Sequence, residues 1–353
     1  MSRSHVPRLK DVAKEANVSL AAASRILRGD KERFGEETCR RVLEASRKLG
    51  WRRNLLVNGM QTGRTQTVGV MIPPAGSFWV HVLSGIHDEL AERDYLPITV
   101  WIGNLGDMPH FEKDEGEGLK QINRLLDRRV DGLIMWPTFG VAYYHHFPEF
   151  IERRVPVTVI DHYSAVADSV ETDEEQATSV VARHLLDLGH RRIACLSNGE
   201  TPWQTWATKR RISFEAAVRR SVDATVKSWH LNAERSNGLE VARQLLTDDL
   251  RPTAVFAVTD HEAASVNQAA AELGIKVPED LSIVGFADLD FAETMQPPLT
   301  TMRQKPHEIG RLAAKLILDR IDGVIADEEE PTTIKVAAEL VVRNSTAMPR
   351  PGR

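Results

Sequence analysis

Residues 19–28, which read SLAAASRILR, combine side chains that could contact a nucleic acid. The guanidinium of Arg25 can donate two hydrogen bonds to one guanine, whereas Leu20 and Ala21 can offer only apolar contact, for example to a thymine methyl group. At helical spacing, one side of this segment carries Leu20, Ala21, Ser24, Arg25 and Arg28. The residue types therefore predict a contact surface on which Arg25 is the main polar group.

A second set of polar and aromatic side chains follows short apolar runs in the rest of the chain. Ligands of open parallel sheets bind beyond the carboxyl ends of the strands, so residues at these ends are candidates for a small-molecule site. These residues are Ser77, Phe78, Trp79, Trp136, Asp161, Asn198, Asp260 and Asp288. Four tryptophans could stack on a sugar ring or an aromatic ligand, although a single tryptophan more often belongs to the core or its rim: Trp79, Trp136, Trp203 and Trp206.

The remaining reactive side chains show no pattern typical of an enzyme. No G-x-S-x-G, G-x-x-x-x-G-K-S/T or G-x-G-x-x-G motif is present. His184, His190 and His230 have no adjacent nucleophile pattern, and the pair His145 and His146 is expected at the surface. No cluster of cysteines and histidines has zinc-ligand spacing. We therefore predict no catalysis, no cofactor and no metal site.

The contact segment needs helices to position it. Apolar residues recur at helical spacing over residues 8–16, and a further amphipathic helix is predicted from Glu36 to Leu49. Between them, Asn17 tolerates a left-handed turn and Ser19 can cap the helix that follows. Two short helices joined by a tight turn and backed by a third are typical of a helix-turn-helix, which places its second helix in the major groove of DNA. The alternative is a three-helix bundle without a ligand.

Charge is distributed unevenly along the chain. Residues 1–65 carry 15 Lys and Arg against seven Asp and Glu, a net charge of +8, and the remaining residues carry 30 against 43, a net charge of −13. A basic segment that coincides with a predicted helix-turn-helix favours nucleic-acid binding over the alternative of a solvated basic tail.

The longer remainder of the chain alternates apolar runs with amphipathic segments. The runs VGVMIP, PITVWI, DGLIMWP, VPVTVIDH, RIACLSN, AVFAVTD and LSIVGFAD are expected strands, and stretches such as ATSVVARHLLDLGH are expected helices. This alternation indicates parallel sheets covered by helices on both faces, and the length indicates two sheets. The predicted fold class is an all-α helix-turn-helix head plus an α/β body of two doubly wound parallel-sheet subdomains.

Composition narrows the class of protein further. The 353 residues suggest two or three domains, and no apolar run approaches the length of a membrane span. Cys39 and Cys195 are the only cysteines, and the first residues lack an apolar signal region. We therefore expect a protein of the reducing cytoplasm with no membrane partner.

The head resembles that of the LacI/GalR family of bacterial transcription regulators. The stretch LKDVAKEANVSLAAASRIL is similar to the family pattern I-x-D-V-A-x-x-A-G-V-S-x-x-T-V-S-R-V-L. Asn17 replaces the turn glycine, and Ala22 replaces a threonine whose hydroxyl is expected to contact phosphate. The resemblance implies that positions 20, 21 and 25 face base edges. The residues it assigns to DNA are Ser19, Leu20, Ala21, Ser24, Arg25 and Arg28.

Residues 51–66 resemble the family hinge pattern G-Y-x-P-N-x-x-A-R-x-L, which forms a short helix on DNA. Asn54 matches the pattern, and Met60 replaces the leucine that inserts into the minor groove, where methionine can still act as an apolar wedge. Gly59 disfavours a helix by about 1 kcal/mol relative to alanine, so the hinge helix is expected to be weak without DNA. The alternative is a flexible linker without DNA contact.

The resemblance continues through the body, in LLDLGHRRIACL, PTAVFAVTD, GIKVPEDLSIVGF, QPPLTTMRQ and ELVVRNSTA. It implies two subdomains of periplasmic-binding-protein type with a small effector between them. Arg210 matches an arginine that contacts effector in the family, and Asp260 matches an aspartate of the family pattern. Ala287 stands where family members often carry an effector-binding aspartate, which removes a carboxylate able to bind two hydroxyl groups.

The predicted organisation is a head (1–50), a hinge (51–66), a body (67–343) and a tail (344–353). Within the body, the N-subdomain is predicted over residues 67–170 and 300–330, and the C-subdomain over residues 171–299 and 331–343. The tail has no leucine heptads, so no C-terminal coiled coil is expected.

The predicted function is that of a ligand-responsive repressor of a catabolic operon for a sugar or related metabolite. A homodimer would read a pseudo-palindromic operator in double-stranded DNA, and the effector would change the angle between the subdomains. Two alternatives remain open at this point. One is a solute-binding module of periplasmic type, which would need a secretory signal, and the other is a sugar- or nucleotide-processing enzyme, which would need a catalytic constellation.

Overall fold

The computed structural model describes residues 7–52, 63–73, 76–101, 115–136, 150, 152–162, 164–198, 205–231, 238–249, 251–326 and 328–350. Residues 115–119 and 205 are described by their backbone alone. The chain folds into two compact units, residues 1–65 and residues 66–353.

The described residues of the first unit form three helices, α1 (Leu9–Glu15), α2 (Leu20–Leu27) and α3 (Glu36–Leu49). Its core consists of apolar residues at helical spacing from all three: Val12, Ala13, Ala16, Ala23, Ile26, Cys39, Val42 and Ala45. The predicted helix-turn-helix backed by a third helix is confirmed.

Local residue chemistry explains where these helices begin and end. Asn17, between α1 and α2, has a left-handed conformation with a φ of 52°, which asparagine adopts more readily than most residues. The Ser19 hydroxyl accepts a hydrogen bond from the N–H of Ala22 at 3.1 Å and so caps α2. Gly50, with a φ of 65°, ends α3. The turn and the cap place α2 at a fixed angle to α1.

The second unit begins with a six-stranded sheet, called here the N-terminal sheet. Its elements along the chain are β1 (Thr67–Ile72), α4 (Ser77–Glu92), β2 (Leu96–Trp101), α5 (Glu115–Asp127), β3 (Gly132–Met135), β4 (Val157–Ile160) and β5 (Asp168–Thr172). A late strand, β11 (Thr333–Val336), completes it. The strand order is β11-β5-β4-β3-β1-β2, and the strands are parallel.

The C-terminal sheet also has six strands. Its elements along the chain are α6 (Glu174–Asp187), β6 (Arg192–Ser197), α7 (Thr205–Arg219), β7 (Thr225–His230), α8 (Gly238–Leu246), β8 (Ala254–Ala257), α9 (Asp260–Glu272), β9 (Ser282–Ala287), a 3-10 turn (Ala292–Thr294), β10 (Thr300–Arg303) and β12 (Glu339–Val341). The strand order is β12-β10-β9-β8-β6-β7. Only β12 is antiparallel to its neighbour within this sheet.

Helices cover both faces of each sheet because the central strands carry apolar side chains on both faces. In the N-terminal sheet, Val70 packs with α4 and with α10 (Pro306–Ile321), whereas the next residue, Met71, packs with α5. In the C-terminal sheet, Leu196 packs with α8 and α9, whereas Cys195 packs with α6 and α7. The predicted pair of doubly wound sheets is confirmed.

The helices α4 and α10 are in direct backbone contact. A Cβ atom added to Gly85 would lie 2.0 Å from the carbonyl oxygen of His307, and one added to Gly310 would lie 2.0 Å from that of Val82. Because only glycine leaves room for this approach, the two glycines set the distance between the helices.

The chain crosses between the sheets three times: after β5, after β10, and between β11 and β12. The predicted boundaries at 300 and 331 fall too early, because each precedes a strand that still belongs to the earlier sheet. β10 pairs along β9, which places residues 300–303 in the C-terminal sheet. β11 pairs along β5, which places residues 333–336 in the N-terminal sheet. The predicted boundary at 171 falls inside β5, which ends at Thr172.

The part of the C-terminal tail from residue 344 to residue 350 forms no helix and is held by a buried histidine. Nε2 of His190 donates to the carbonyl oxygen of Ala347 at 2.9 Å, and Nδ1 lies 3.0 Å from the hydroxyl of Thr253. Burial lowers the pKa of His190 to about 4. The ring is therefore neutral at pH 7, and it joins the tail to the amino ends of the strands of the C-terminal sheet.

Candidate functional site

The outer face of α2 is exposed and carries few polar groups. Ala23 and Ile26 are buried in the core of the head, which turns Leu20, Ala21 and Arg25 outward. Leu20 is 53% exposed. The helix therefore presents the surface that its sequence spacing predicts.

Arg25 and Arg28 differ in their surroundings. Arg28 closes α2, and its Nη2 donates a 2.7 Å hydrogen bond to the hydroxyl of Ser24. The guanidinium of Arg25 makes no hydrogen bond or ion pair with any residue that the structure describes. The hydroxyls of Ser19 and Ser24 already have one partner each inside the head. Arg25 therefore keeps all of its donors for a ligand.

Asn54 and Met60, the two hinge residues assigned to DNA, lie outside the described residues, as does Trp203. Their contacts stay predictions.

Several of the predicted effector residues meet in an aromatic group at the carboxyl ends of β1 and β3. Ser77, Phe78 and Trp79 begin α4, and Trp136 directly follows β3. The ring centroids of Trp79 and Trp136 are 5.0 Å apart, and those of Phe78 and Trp79 are 5.1 Å apart in an edge-to-face arrangement. Trp136 is buried, whereas Phe78 and Trp79 are half-buried. These rings form an apolar surface suited to the flat face of a ligand.

Arg210, on α7, is only 3% exposed, and all three of its side-chain nitrogens are bonded inside the chain. Nε and Nη2 each donate a 2.7 Å hydrogen bond to one carboxylate oxygen of Glu174, and Nη1 donates to the carbonyl oxygen of Val258 at 3.0 Å. The rings of Phe286 and Trp206 lie 3.7 Å and 4.6 Å from the guanidinium carbon. The arginine that the resemblance assigns to effector thus holds a carboxylate of its own chain.

Asp161 follows β4 and belongs to the same charged cluster. Burial raises the pKa of its carboxyl group, although the neighbouring Arg210 and Lys209 favour its charged form. Lys209 donates a 2.7 Å hydrogen bond to Glu171, near the end of β5. Since Glu171 belongs to the N-terminal sheet and Lys209 to α7, this ion pair joins the two halves of the body.

No sequence pattern identified Glu171, Glu174 or Lys209 as a site residue. Glu174 stands in the acidic run Asp-Glu-Glu at the start of α6, which is typical of a solvated helix N-terminus. The one available signal is its helical spacing to the buried Ala177, which puts both on the inner face of α6. Burial raises the pKa of Glu174 despite its pairing with Arg210.

Asp260 and Asp288 also lie at the carboxyl ends of strands, but their carboxylates are bonded within the chain. Asp260 accepts a 2.5 Å hydrogen bond from the hydroxyl of Thr301 and a 2.7 Å bond from a backbone N–H. Asp288 forms ion pairs with Arg303 and Arg343, each at 2.7 Å. In the structure, Asp260 and Asp288 therefore bond to β10 and to the segment after β12, and so link neighbouring parts of the C-terminal sheet.

Asn198 directly follows β6. Its Oδ1 atom is buried and has no hydrogen-bond partner among the described residues. Because an unpaired buried acceptor is costly, this atom is a strong candidate to accept a hydrogen bond from a ligand.

The described residues contain no candidate metal site. No group of three His, Cys, Asp or Glu side chains among them could hold a metal ion. No helix among the described residues is long and apolar enough to cross a bilayer.

Family models match both units. Residues 8–54 match the model described as bacterial regulatory proteins, lacI family, and residues 182–346 match a periplasmic binding protein-like domain. Catabolite control protein A of Priestia megaterium is 30% identical over 312 residues, which cover 87% of this chain and 90% of that protein. The ribose operon repressor of Escherichia coli (strain K12) is 29% identical over 89% of this chain and 92% of that protein.

Solved structures agree with the fold. The Lac repressor dimer bound to operator and the anti-inducer ONPF superimposes with a TM-score of 0.81 at 21% identity, covering 97% of this chain and 100% of that chain. A LacI family regulator from Enterococcus faecium with bound ribose superimposes with a TM-score of 0.64 at 27% identity, covering 80% and 99%. The chain has a helix-turn-helix head and two doubly wound sheets, and catabolite control protein A is 30% identical to it over 87% of its length. The chain therefore belongs to the LacI family of bacterial regulatory proteins.

Proposed function

We propose that the chain represses transcription of a catabolic operon by binding, as a homodimer, to a pseudo-palindromic operator. The observation that carries the proposal is the outer face of α2. It is exposed, it bears an arginine without a partner among the described residues, and it belongs to a segment with a net charge of +8. Such a face has the charge and the geometry for the major groove.

The DNA contacts divide into two kinds. Arg25 would hydrogen-bond a base, and Leu20 and Ala21 would pack against apolar base groups. The residues that would contact phosphates around them, or the minor groove in the hinge, are Ser19, Ser24, Arg28, Asn54 and Met60. Since the base-reading face is sparsely polar, selectivity would depend on Arg25 and on the hinge.

The effector would bind at the facing carboxyl ends of the two sheets and change the angle between them. Ligands of open parallel sheets bind at these ends. The relatives support a sugar or sugar derivative, since structures of family members hold ribose, glucose and sucrose. The effector-binding residues would come from Ser77, Phe78, Trp79, Trp136, Asp161, Asn198, Arg210, Asp260 and Asp288. By linkage, DNA must change effector affinity by the same factor as effector changes DNA affinity.

We further propose that the chain acts without catalysis and works in the cytoplasm. The named relatives are repressors rather than enzymes, which supports the first point. The proposed binding to operator DNA supports the second.

A duplex-selection experiment tests the proposal. The full-length protein should enrich a pseudo-palindromic sequence from a random duplex pool, and its affinity should fall steeply with salt. A protein that neutralises 6–10 phosphates loses about 10³–10⁵ in affinity between 50 and 200 mM salt. Enrichment of no sequence at moderate salt, with and without a panel of sugars, would contradict the proposal and favour a solute-binding module.

A further inference from the structure

The pair formed by Glu174 and Arg210 lies where the effector is expected. Arg210 reaches the carbonyl of Val258, which follows β8, and stacks against Phe286 near the end of β9. Asp161, which follows β4 of the N-terminal sheet, interacts electrostatically with both members of the pair. The pair therefore stands at the carboxyl ends of strands from both sheets.

Most hydrogen-bond donors of the Arg210 guanidinium are occupied by contacts within the chain. Three of its five N–H groups are bonded internally, two of them in a bidentate arrangement with Glu174. The rings of Phe286 and Trp206 lie against the guanidinium. A carboxylate or phosphate of a ligand would have to displace Glu174 to obtain the same bidentate contact.

The charges around the pair disfavour a further anion. Among the described residues, the acidic side chains of Asp161, Glu171 and Glu174 face two cationic groups, Lys209 and Arg210. Burial lowers the pKa of the nearby His162, so this ring adds no positive charge at pH 7. The cluster thus holds three acidic side chains against two basic ones, and its carboxyl oxygens leave no free cation for a further anion among the described residues.

A neighbouring strand end adds another acceptor. Asn198 follows β6, which pairs with β8, and its buried Oδ1 has no partner among the described residues. Hydroxyl groups of a ligand would satisfy such an atom, whereas the oxygens of a carboxylate or phosphate would not.

We propose that Glu174 is a specificity-determining residue, which occupies the anion-binding edge of Arg210 from within the chain and so restricts the cleft to uncharged, hydroxyl-rich effectors. This inference rests on the proposed function in one respect, namely that this cleft is the effector site. It excludes sugar acids and sugar phosphates as natural effectors.

The test compares matched neutral and anionic probes on the full-length dimer. The pairs are glucose with glucuronate, glucose with glucose 6-phosphate, and ribose with ribose 5-phosphate, measured by thermal shift and calorimetry without DNA. The wild-type protein should bind no anionic probe more tightly than its neutral partner. Glu174→Gln should bind at least one anionic probe about tenfold more tightly than the wild type does, because glutamine has one acceptor oxygen in place of two and cannot keep the bidentate contact with Arg210.

Three further variants separate specificity from structure. Glu175→Gln changes the exposed neighbouring carboxylate and should leave every probe affinity unchanged. The double variant Glu174→Leu with Arg210→Met removes both charges, and it should show no gain for anions. Glu174→Asn serves as a second single variant, since its shorter side chain leaves more room beside Arg210.

Three results would overturn the proposal. The wild type could prefer an anionic probe, a folded amide variant could show no gain for anions, or the double variant could show an equal gain. If neither amide variant folds, the pair is a structural element and the proposal also fails. Operator binding is measured separately on the same proteins, so a failure of the repressor function would be recognised independently of the ligand result.

Discussion

Replacement of Arg25 by alanine tests the central assignment of the head. Because the guanidinium has no internal partner among the described residues, Arg25→Ala should leave the stability of the head unchanged. A bidentate arginine–guanine contact contributes about 1–3 kcal/mol of discrimination. In a dimer the two half-sites are far apart, so the losses should add to about 2–6 kcal/mol, which is roughly 30-fold to 10⁴-fold in operator affinity.

The assay is a titration of the selected operator and of duplexes that each carry one symmetric base-pair change. Arg25→Ala should abolish the preference at one position of each half-site and keep the preferences elsewhere. Arg28→Ala is the matched control, since this exposed arginine of the same helix already donates to Ser24 and is assigned to phosphate. The reasoning is refuted if Arg25→Ala weakens all duplexes equally, because Arg25 would then contact phosphate rather than a base.

Three further changes test the body. The pKa of His190 in the folded state, about 4, lies below its unfolded value of about 6.5. The free energy of unfolding should therefore fall by up to about 3 kcal/mol as the pH is lowered through this range. Urea titrations of His190→Gln should lack this part of the pH dependence. Gly85→Ala should destabilise the protein by about 2–3 kcal/mol, because its Cβ would lie 2.0 Å from a carbonyl oxygen of α10; an unchanged melting temperature would contradict this packing. Ala287→Gly should stabilise the protein by about 1 kcal/mol, because Ala287 has a φ of 117° that L-residues rarely adopt, and a lower urea midpoint would disprove it.

The apolar elements of this fold follow directly from the sequence. The seven apolar runs correspond to seven strands, and the helices of the head match the predicted ranges within one residue at each end. In these segments the local signals agree with the tertiary structure, since side-chain periodicity, the Asn17 turn and the Ser19 cap all specify the same path.

The polar strands could not be predicted in the same way. β5 reads DSVET and is buried throughout, because its polar groups find partners far away in the sequence. Asp168 pairs with Arg320, and Thr172 accepts a hydrogen bond from Gln304. Periodicity treats such a segment as a loop. The missed strands near the crossovers also explain why the predicted subdomain boundaries were wrong.

The sequence predicted which residues directly follow the strands, but it did not predict the electrostatics around them. The strand-end rule located Asp161 and Trp136 because it depends only on sheet topology. The bonding of Arg210 to Glu174 joins residues 36 positions apart, and no local pattern reports such a pairing. The same holds for the ion pairs that occupy Asp288.

The segment that carries β11 and β12 completes both sheets, and its place near the C-terminus determines when the sheets can form during synthesis. Only residues 337 and 338 separate β11, which completes one sheet, from β12, which completes the other. During translation the strands β5 and β10 therefore keep an open edge until nearly the whole chain has emerged, whereas the head is complete after its first 65 residues. A nascent chain can fold its DNA-binding head long before it can bind effector. Messages truncated before residue 333 would release a basic head attached to two unfinished sheets, whose exposed edges favour aggregation.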